Sequence, residues 1–152
     1  MRKGHTTIWS GLALLLGVGI ASAALEPVNL RCEYRDRPLG IDATHPRLSW
    51  TLRTEEPAAR GARQTAYRVL VASSPDLLAR DRGDLWDSGR VRSDETIEVV
   101  YAGRPLSSGQ RVYWKVRARD EQGKVGRWSV PSMWSMGLLK TGDWKAQWIG
   151  VP

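Results

Sequence analysis

The segment Arg111-Val-Tyr-Trp-Lys-Val-Arg-Ala-Arg-Asp120 constrains this chain more than any other. Val112, Trp114, Val116 and Ala118 recur at every second position, while Arg111, Lys115, Arg117 and Arg119 share the alternate positions with Tyr113. Successive side chains of a strand point to opposite faces, so this period lays one apolar face on a core and turns the charged face to water.

Other segments carry the same signature. Leu25 to Tyr34 alternates Val28, Leu30, Cys32 and Tyr34 on one side, and the strand from Pro46 sends Leu48, Trp50 and Leu52 inward. Gln64 to Ser73 sets Tyr67, Val69 and Val71 against Arg68, Leu70 and Ala72, so both faces are partly apolar and the strand is expected to be central. Ser74-Pro75-Asp76 has the serine cap, first-turn proline and early acid of a short helix. Shorter strands follow at Leu85 to Gly89, Thr96 to Tyr101 and Trp128 to Met136, separated by Gly-, Pro- and Ser-rich turns; residues 54–61 lack a period and read as a loop. The expected fold is all-β: a sandwich of about seven antiparallel strands with one short helix. The chain has eight tryptophans and no phenylalanine, so Trp and Tyr supply all its aromatic burial, with Trp50, Tyr67 and Trp114 as structural core.

The first residues stand apart. Met1-Arg2-Lys3 precedes an apolar run of 14 residues, 8 through 21, which ends at Ala21-Ser-Ala23. A spanning helix needs roughly 18–20 apolar residues, so residues 1–23 read as a secretory signal cleaved between Ala23 and Ala24 rather than as an uncleaved anchor, leaving an exported protein with no membrane segment after cleavage. Residues 24–139 are then the sandwich, and residues 140–152 read as the start of a following domain. Removing 23 of 152 residues leaves 129, enough for one sandwich but not for a sandwich plus a catalytic domain. The single Cys32 excludes an internal disulfide and reads as a small buried side chain.

The net charge of +7 falls to +5 when Arg2 and Lys3 leave with the signal. The 18 arginines and five lysines are spread along the chain and interleaved with Glu33, Asp36, Asp120 and Glu121, which indicates scattered solvated charge rather than a nucleic-acid surface.

Pro46-Arg-Leu-Ser-Trp50, Tyr67-Arg-Val-Leu-Val71, Trp114-Lys-Val-Arg-Ala118 and Gly126-Arg-Trp-Ser129 resemble the strands of a fibronectin type III or immunoglobulin-like domain. Val112 departs from that pattern, falling where the family often carries the tyrosine of a tyrosine corner. A second resemblance is carried by Leu30-Arg-Cys-Glu-Tyr34, Pro38-Leu-Gly-Ile-Asp42, Pro46 to Trp50, Gln64-Thr-Ala-Tyr67, Leu85-Trp-Asp-Ser-Gly89, Tyr101-Ala-Gly103, Ser108-Gly-Gln110, Tyr113 to Arg117 and Trp144-Lys-Ala-Gln-Trp-Ile149. Together these are similar to the N-terminal region of bacterial α-L-rhamnosidases. The resemblance implies a module of an enzyme that removes terminal α-L-rhamnose from glycosides with inversion, whose catalytic carboxylates lie in a helical barrel downstream. None of those positions maps onto this sequence, so no catalytic residue, cofactor or metal is expected, and the implied partners are the enzyme's downstream domains.

Several residues nonetheless invite a site reading. Glu55-Glu56, Asp84 with Asp87, and Asp94-Glu95 are carboxylate groupings, but no apolar pocket is implied to raise the pKa of an acid. His45 has no Cys or second His nearby, which argues against a metal. Arg82-Gly83-Asp84 is the tripeptide that integrins read, though the position wants Gly and Asp for its turn. Trp86, Trp128 and Trp134 are candidates for stacking on sugar rings of rhamnose-containing glycans, as a free-standing carbohydrate-binding or adhesion module would require. Trp144 and Trp148 read as residues awaiting a neighbouring domain.

Overall fold

The structure is a computed structural model and describes residues 25–54, 63–147 and 149–150. Seven strands and one helix run in the order β1 (Leu25–Cys32), β2 (Arg47–Thr54), β3 (Ala66–Ala72), α1 (Pro75–Ala79), β4 (Trp86–Asp87), β5 (Val99–Val100), β6 (Arg111–Arg119) and β7 (Ser132–Ser135), followed by a 3₁₀ turn at Thr141–Asp143. They form two antiparallel sheets, one ordered β1-β2-β5 and the other β4-β3-β6-β7. This is the all-β immunoglobulin-like sandwich that the alternation requires: each sheet has an apolar inner face, and the two faces cover one another.

The core between the sheets holds Leu48 and Trp50 from β2, Val69 and Val71 from β3, Val112, Trp114 and Val116 from β6, and Trp134 from β7. Trp50 meets Tyr67 edge-on at 5.2 Å between ring centroids, and Trp114 meets Trp134 at 6.4 Å. The indole of Trp50 donates to Gln64 Oε1 at 3.1 Å, and the Gln64 amide donates to the Ser93 and Glu95 carbonyls at 3.2 and 2.8 Å. A glutamine that is 2% exposed is therefore fully engaged, and it joins the entry of β3 to the loop before β5. Trp114 Nε1 and Trp134 Nε1 have no such partner.

Four expectations need correcting. β1 changes phase at a bulge between Val28 and Arg31, where Asn29 adopts φ 53°. Leu25 and Pro27 point inward before it and Leu30 and Cys32 after it, so Val28 is only half-buried. Tyr34, expected inward, is exposed; it lies beyond the strand with φ 62°, donates to Glu98 Oε1 at 2.6 Å and sits 4.9 Å from the Arg47 guanidinium carbon. Lys115, expected in water, is 6% exposed because α1 and Trp128 cover the middle of the outer sheet face, where Leu70, Ala72 and Leu78 form a second apolar cluster. Its ammonium pairs with Asp81 and lies 4.8 Å from the Trp128 ring centre. The last strand begins at Ser132 rather than Trp128, since Pro131 cannot donate to a ladder.

Local chemistry explains several short motifs. Ser74 Oγ accepts from the Leu77 amide at 3.3 Å and Pro75 opens α1, as the sequence pattern predicts. Val112 is buried and brings no hydroxyl, but Tyr101 supplies a comparable tie elsewhere, donating to the Arg104 carbonyl at 2.7 Å. Gly103 lies so close to this tie that a Cβ there would sit 2.4 Å from the Leu85 carbonyl oxygen and 2.5 Å from the Tyr101 hydroxyl. Among the described residues each sheet edge is short or interrupted: β4 and β5 have two residues each, β7 follows Pro131, and β1 carries Pro27 and the Asn29 bulge.

Candidate functional site

A glycosidase acid must be held protonated by an apolar surround or a neighbouring negative charge. Four carboxylates of this sandwich, Glu33, Asp81, Asp84 and Asp87, are arranged the opposite way. Asp87 accepts from Arg68 Nε and Nη2 at 2.8 and 2.6 Å and from the Gly89 amide at 2.9 Å, and the Arg68 bond holds its pKa below the usual carboxylate range. At Asp84 burial acts to raise the pKa, but hydrogen bonds from the Ser73 hydroxyl and amide, at 2.7 and 2.9 Å, outweigh it and leave the pKa lowered. Asp94 pairs with Arg63 at 3.2 Å on an exposed edge. Glu33 is held low by the Arg47 guanidinium, and Asp81 by Lys115. Glu55 and Glu56 lie outside the described residues.

The remaining candidates resolve in the same direction. Among the described residues no group of three His, Cys, Asp or Glu side chains converges as a metal site, and His45 is exposed with Thr44 Oγ1 as neighbour at 3.1 Å. Within Arg82-Gly83-Asp84 the carboxylate is engaged by Ser73, and a Cβ on Gly83 would lie 2.2 Å from the Trp86 carbonyl oxygen, so the tripeptide is packed into the β4 turn rather than presented at a loop tip. Burial pushes the Cys32 thiol up to about 12, with Glu33 adding to the effect, which makes it an inert core side chain.

The three candidate sugar-stacking tryptophans separate. Trp134 is 0% exposed, because the β7 register puts it opposite Val112 on the core side. Its candidacy therefore fails on phase. Trp86 is half-buried against the core, edge-on to Tyr101 at 5.5 Å. Trp128 is half-buried on the outer face, with Lys115 Nζ at 4.8 Å and the Arg117 guanidinium at 4.5 Å from its ring centre. Two cations already use its π-system. Trp50, Tyr67 and Trp114 are 2%, 8% and 0% exposed. Trp148 and the cleavage position Ala23–Ala24 lie outside the described residues.

Two arrangements carry no local sequence signal. Ser108 accepts from the Leu139 amide at 2.8 Å and donates to the Asp143 carboxylate, which also accepts from the Lys140 amide at 3.1 Å. The segment after β7 is thereby fastened to the turn before β6, and Leu138 and Trp144 are left 49% and 59% exposed beside it. The second is a gathering of arginines on the outer face of the four-stranded sheet, dispersed in sequence and united only by strand register.

Residues 27–140 match the family model of the Rha78A-like, N-terminal immunoglobulin domain. The α-L-rhamnosidase of Streptomyces avermitilis is 47% identical over 130 residues, which span 86% of this chain and 12% of that protein. The crystal structure of the S. avermitilis α-L-rhamnosidase complexed with L-rhamnose superposes with a TM-score of 0.76 at 47% identity, covering 85% of this chain and 12% of that one. The α-L-rhamnosidase from Dictyoglumus thermophilum gives 0.75 at 38% identity, over 82% of this chain and 14% of that one. This chain accordingly spans about an eighth of the length of the S. avermitilis relative, and it belongs to the family of Rha78A-like N-terminal immunoglobulin domains.

Proposed function

We propose that this sandwich is a non-catalytic module of an exported α-L-rhamnosidase, that the parent enzyme removes terminal α-L-rhamnose from glycosides with inversion, and that the module supports and packs against the domains that follow it. In this reading residues 1–23 direct export and are cleaved between Ala23 and Ala24, residues 24–139 are the module, and residues 140–152 lead into the next domain. The observation that carries the non-catalytic role is electrostatic. An inverting enzyme needs a protonated acid and a carboxylate base roughly 6.5–9.5 Å apart, whereas Glu33, Asp81, Asp84 and Asp87 all have lowered pKa values and engaged oxygens. Exposed Leu138, Trp144 and Ile149 at the exit from the sandwich support the packing role, since apolar side chains left in water mark surfaces that meet a partner.

The reading is tested on the purified chain and on its gene. The chain is expected to release no aryl alcohol from an aryl α-L-rhamnoside, and the reading frame is expected to continue past Pro152 into a helical-barrel sequence. Turnover that survives repurification would overturn the non-catalytic role, and a frame that closes without such a barrel would overturn the parent enzyme. Titration with neutral rhamno-oligosaccharides is expected to leave the tryptophan fluorescence flat. A saturable change abolished by Trp86→Ala or Trp128→Ala would instead establish a carbohydrate-binding module.

A further inference from the structure

The β3–β6 register sets Arg68 directly opposite Arg117 and Ala66 opposite Arg119 on the outward side of the sheet. Arg90 joins them because the chain after β4 returns to β3, where Val91 and Tyr67 exchange backbone hydrogen bonds of 2.9 Å in both directions. The four arginines, with Val125, line a depression of about 50 Å³. Like charges placed directly opposite one another weaken a sheet, and Arg68, Arg117 and Arg119 lie on the side of the sheet turned away from the core. Asp87, which pairs with Arg68, and the Trp128 ring beneath Arg117 offset part of that cost and hold the two cations side by side.

Three of the four are held in place before any ligand arrives. Asp87 grips Arg68 through Nε and Nη2 and leaves Nη1 open, Arg117 lies 4.5 Å over the Trp128 ring, and one Nη1 of Arg119 donates to the Gly123 carbonyl. Arg90 has no ion-pair partner among the described residues. Four positive charges, three of them held, thus answer to two neighbouring carboxylates, Asp87 and Asp81, of which Asp81 is already paired with Lys115. Planar guanidinium forks match the two oxygens of a carboxylate, and prior immobilisation removes much of the entropy that binding would otherwise lose.

We propose that this depression is a binding site for the carboxylate of an acidic saccharide, with Arg90, Arg117 and the free edge of Arg68 as donors and Val125, 40% exposed, as an apolar wall for the sugar ring. The choice of a saccharide as carrier of the anion rests on the function proposed above; the anion site itself does not. The size of the depression suits one oxyanion group rather than an extended polyanion.

The test is an NMR titration of the full chain at low ionic strength, following the arginine Nε–Hε signals. The probes are methyl β-D-glucuronide, its neutral counterpart methyl β-D-glucoside, and sodium sulfate. The glucuronide is expected to shift the Arg68, Arg90 and Arg117 signals saturably and in a salt-sensitive manner, and the glucoside to leave them unmoved. Arg90→Ala should weaken glucuronide binding about five- to tenfold, the effect of losing one charge-assisted contact at an exposed site, with an unchanged melting curve. Unmoved signals, equal shifts with the glucoside, or an Arg90→Ala chain that titrates like the parent would each overturn the site. Shifts with sulfate but not with glucuronide would overturn the saccharide. Because no rhamnosidase activity enters the readout, a failed titration in a chain whose gene continues into a helical barrel sinks this site alone.

Discussion

Trp114→Ala removes the most central ring of the sandwich. Trp114 is 0% exposed, pairs across the β3–β6 ladder with Val71 and across β6–β7 with Ser132, and meets Trp134 edge-on at 6.4 Å. Truncating a buried Trp costs about 3–5 kcal/mol from lost transfer energy and the cavity left behind. One opposing effect is visible: Trp114 Nε1 is buried without a hydrogen-bond partner, a group whose desolvation costs about 1–3 kcal/mol and which the substitution deletes. The net loss should therefore sit near the lower end, at about 3 kcal/mol, which for a domain of this size lowers the melting midpoint by about 10–20 °C. Trp114→Phe makes the point sharper, since it keeps one ring and deletes the same orphaned N–H, so its cost should stay within about 1.5 kcal/mol. Trp128→Ala serves as control, because that half-buried ring forfeits two cation contacts and its packing on the Leu70, Ala72 and Leu78 cluster, about 2 kcal/mol in all. Circular dichroism melts of the three variants decide the order. A Trp114→Ala midpoint within about 3 °C of the parent, or a larger loss from Trp128→Ala, would refute the placement of Trp114 at the centre of the core.

Gly103→Ala should lower stability by about 2–4 kcal/mol, because its Cβ would meet the Leu85 carbonyl at 2.4 Å, whereas Gly123→Ala, with φ +80° and nothing within 4 Å, should lose only about 1 kcal/mol; equal midpoints in urea would disprove the clash. Glu33, Asp81 and Asp87 have folded pKa values held below their unfolded ones by Arg47, Lys115 and Arg68. Their contribution is fully present above the unfolded values of about 4 and is lost as pH falls through the folded ones, so the urea midpoint should drop below about pH 4 and Asp87→Asn should blunt that drop; a midpoint that rises on acidification contradicts the pairing. Cys32 should resist a disulfide-exchange reagent at pH 8 and react only in denaturant, because burial raises its thiol to about 12; rapid labelling of the folded chain would show the site to be open.

Where a side chain's role follows from strand period and turn chemistry, the sequence announces it. The alternation in Arg111–Asp120 becomes β6, the mixed apolar faces of Tyr67–Ala72 place β3 in the middle of its sheet, and Ser74-Pro75 caps α1. What escaped was set by pairing between distant segments. Asn29 needs its partner strand to reveal a bulge, so the alternation alone puts Val28 inward, and Tyr34 turns outward only because the chain leaves the strand after Cys32. Lys115 reads as solvated until α1 and Trp128 close over it, and Trp134 reads as a possible platform until its register with Val112 is known. The arginine depression is the extreme case. Arg68, Arg90, Arg117 and Arg119 look scattered over about fifty positions and become neighbours only through a ladder that no single segment specifies.

The blunted borders of both sheets limit how this sandwich can join anything else. Two-residue margins at β4 and β5, the proline before β7 and the proline and kink in β1 leave, among the described residues, no long row of unsatisfied amides on which a foreign strand could template itself. Among the described residues the edges therefore disfavour continuous-sheet association, in which a foreign strand adds to an exposed sheet margin. Blunt margins favour neighbours met side chain to side chain, so changing a surface residue should retune such a contact without disturbing the fold beneath.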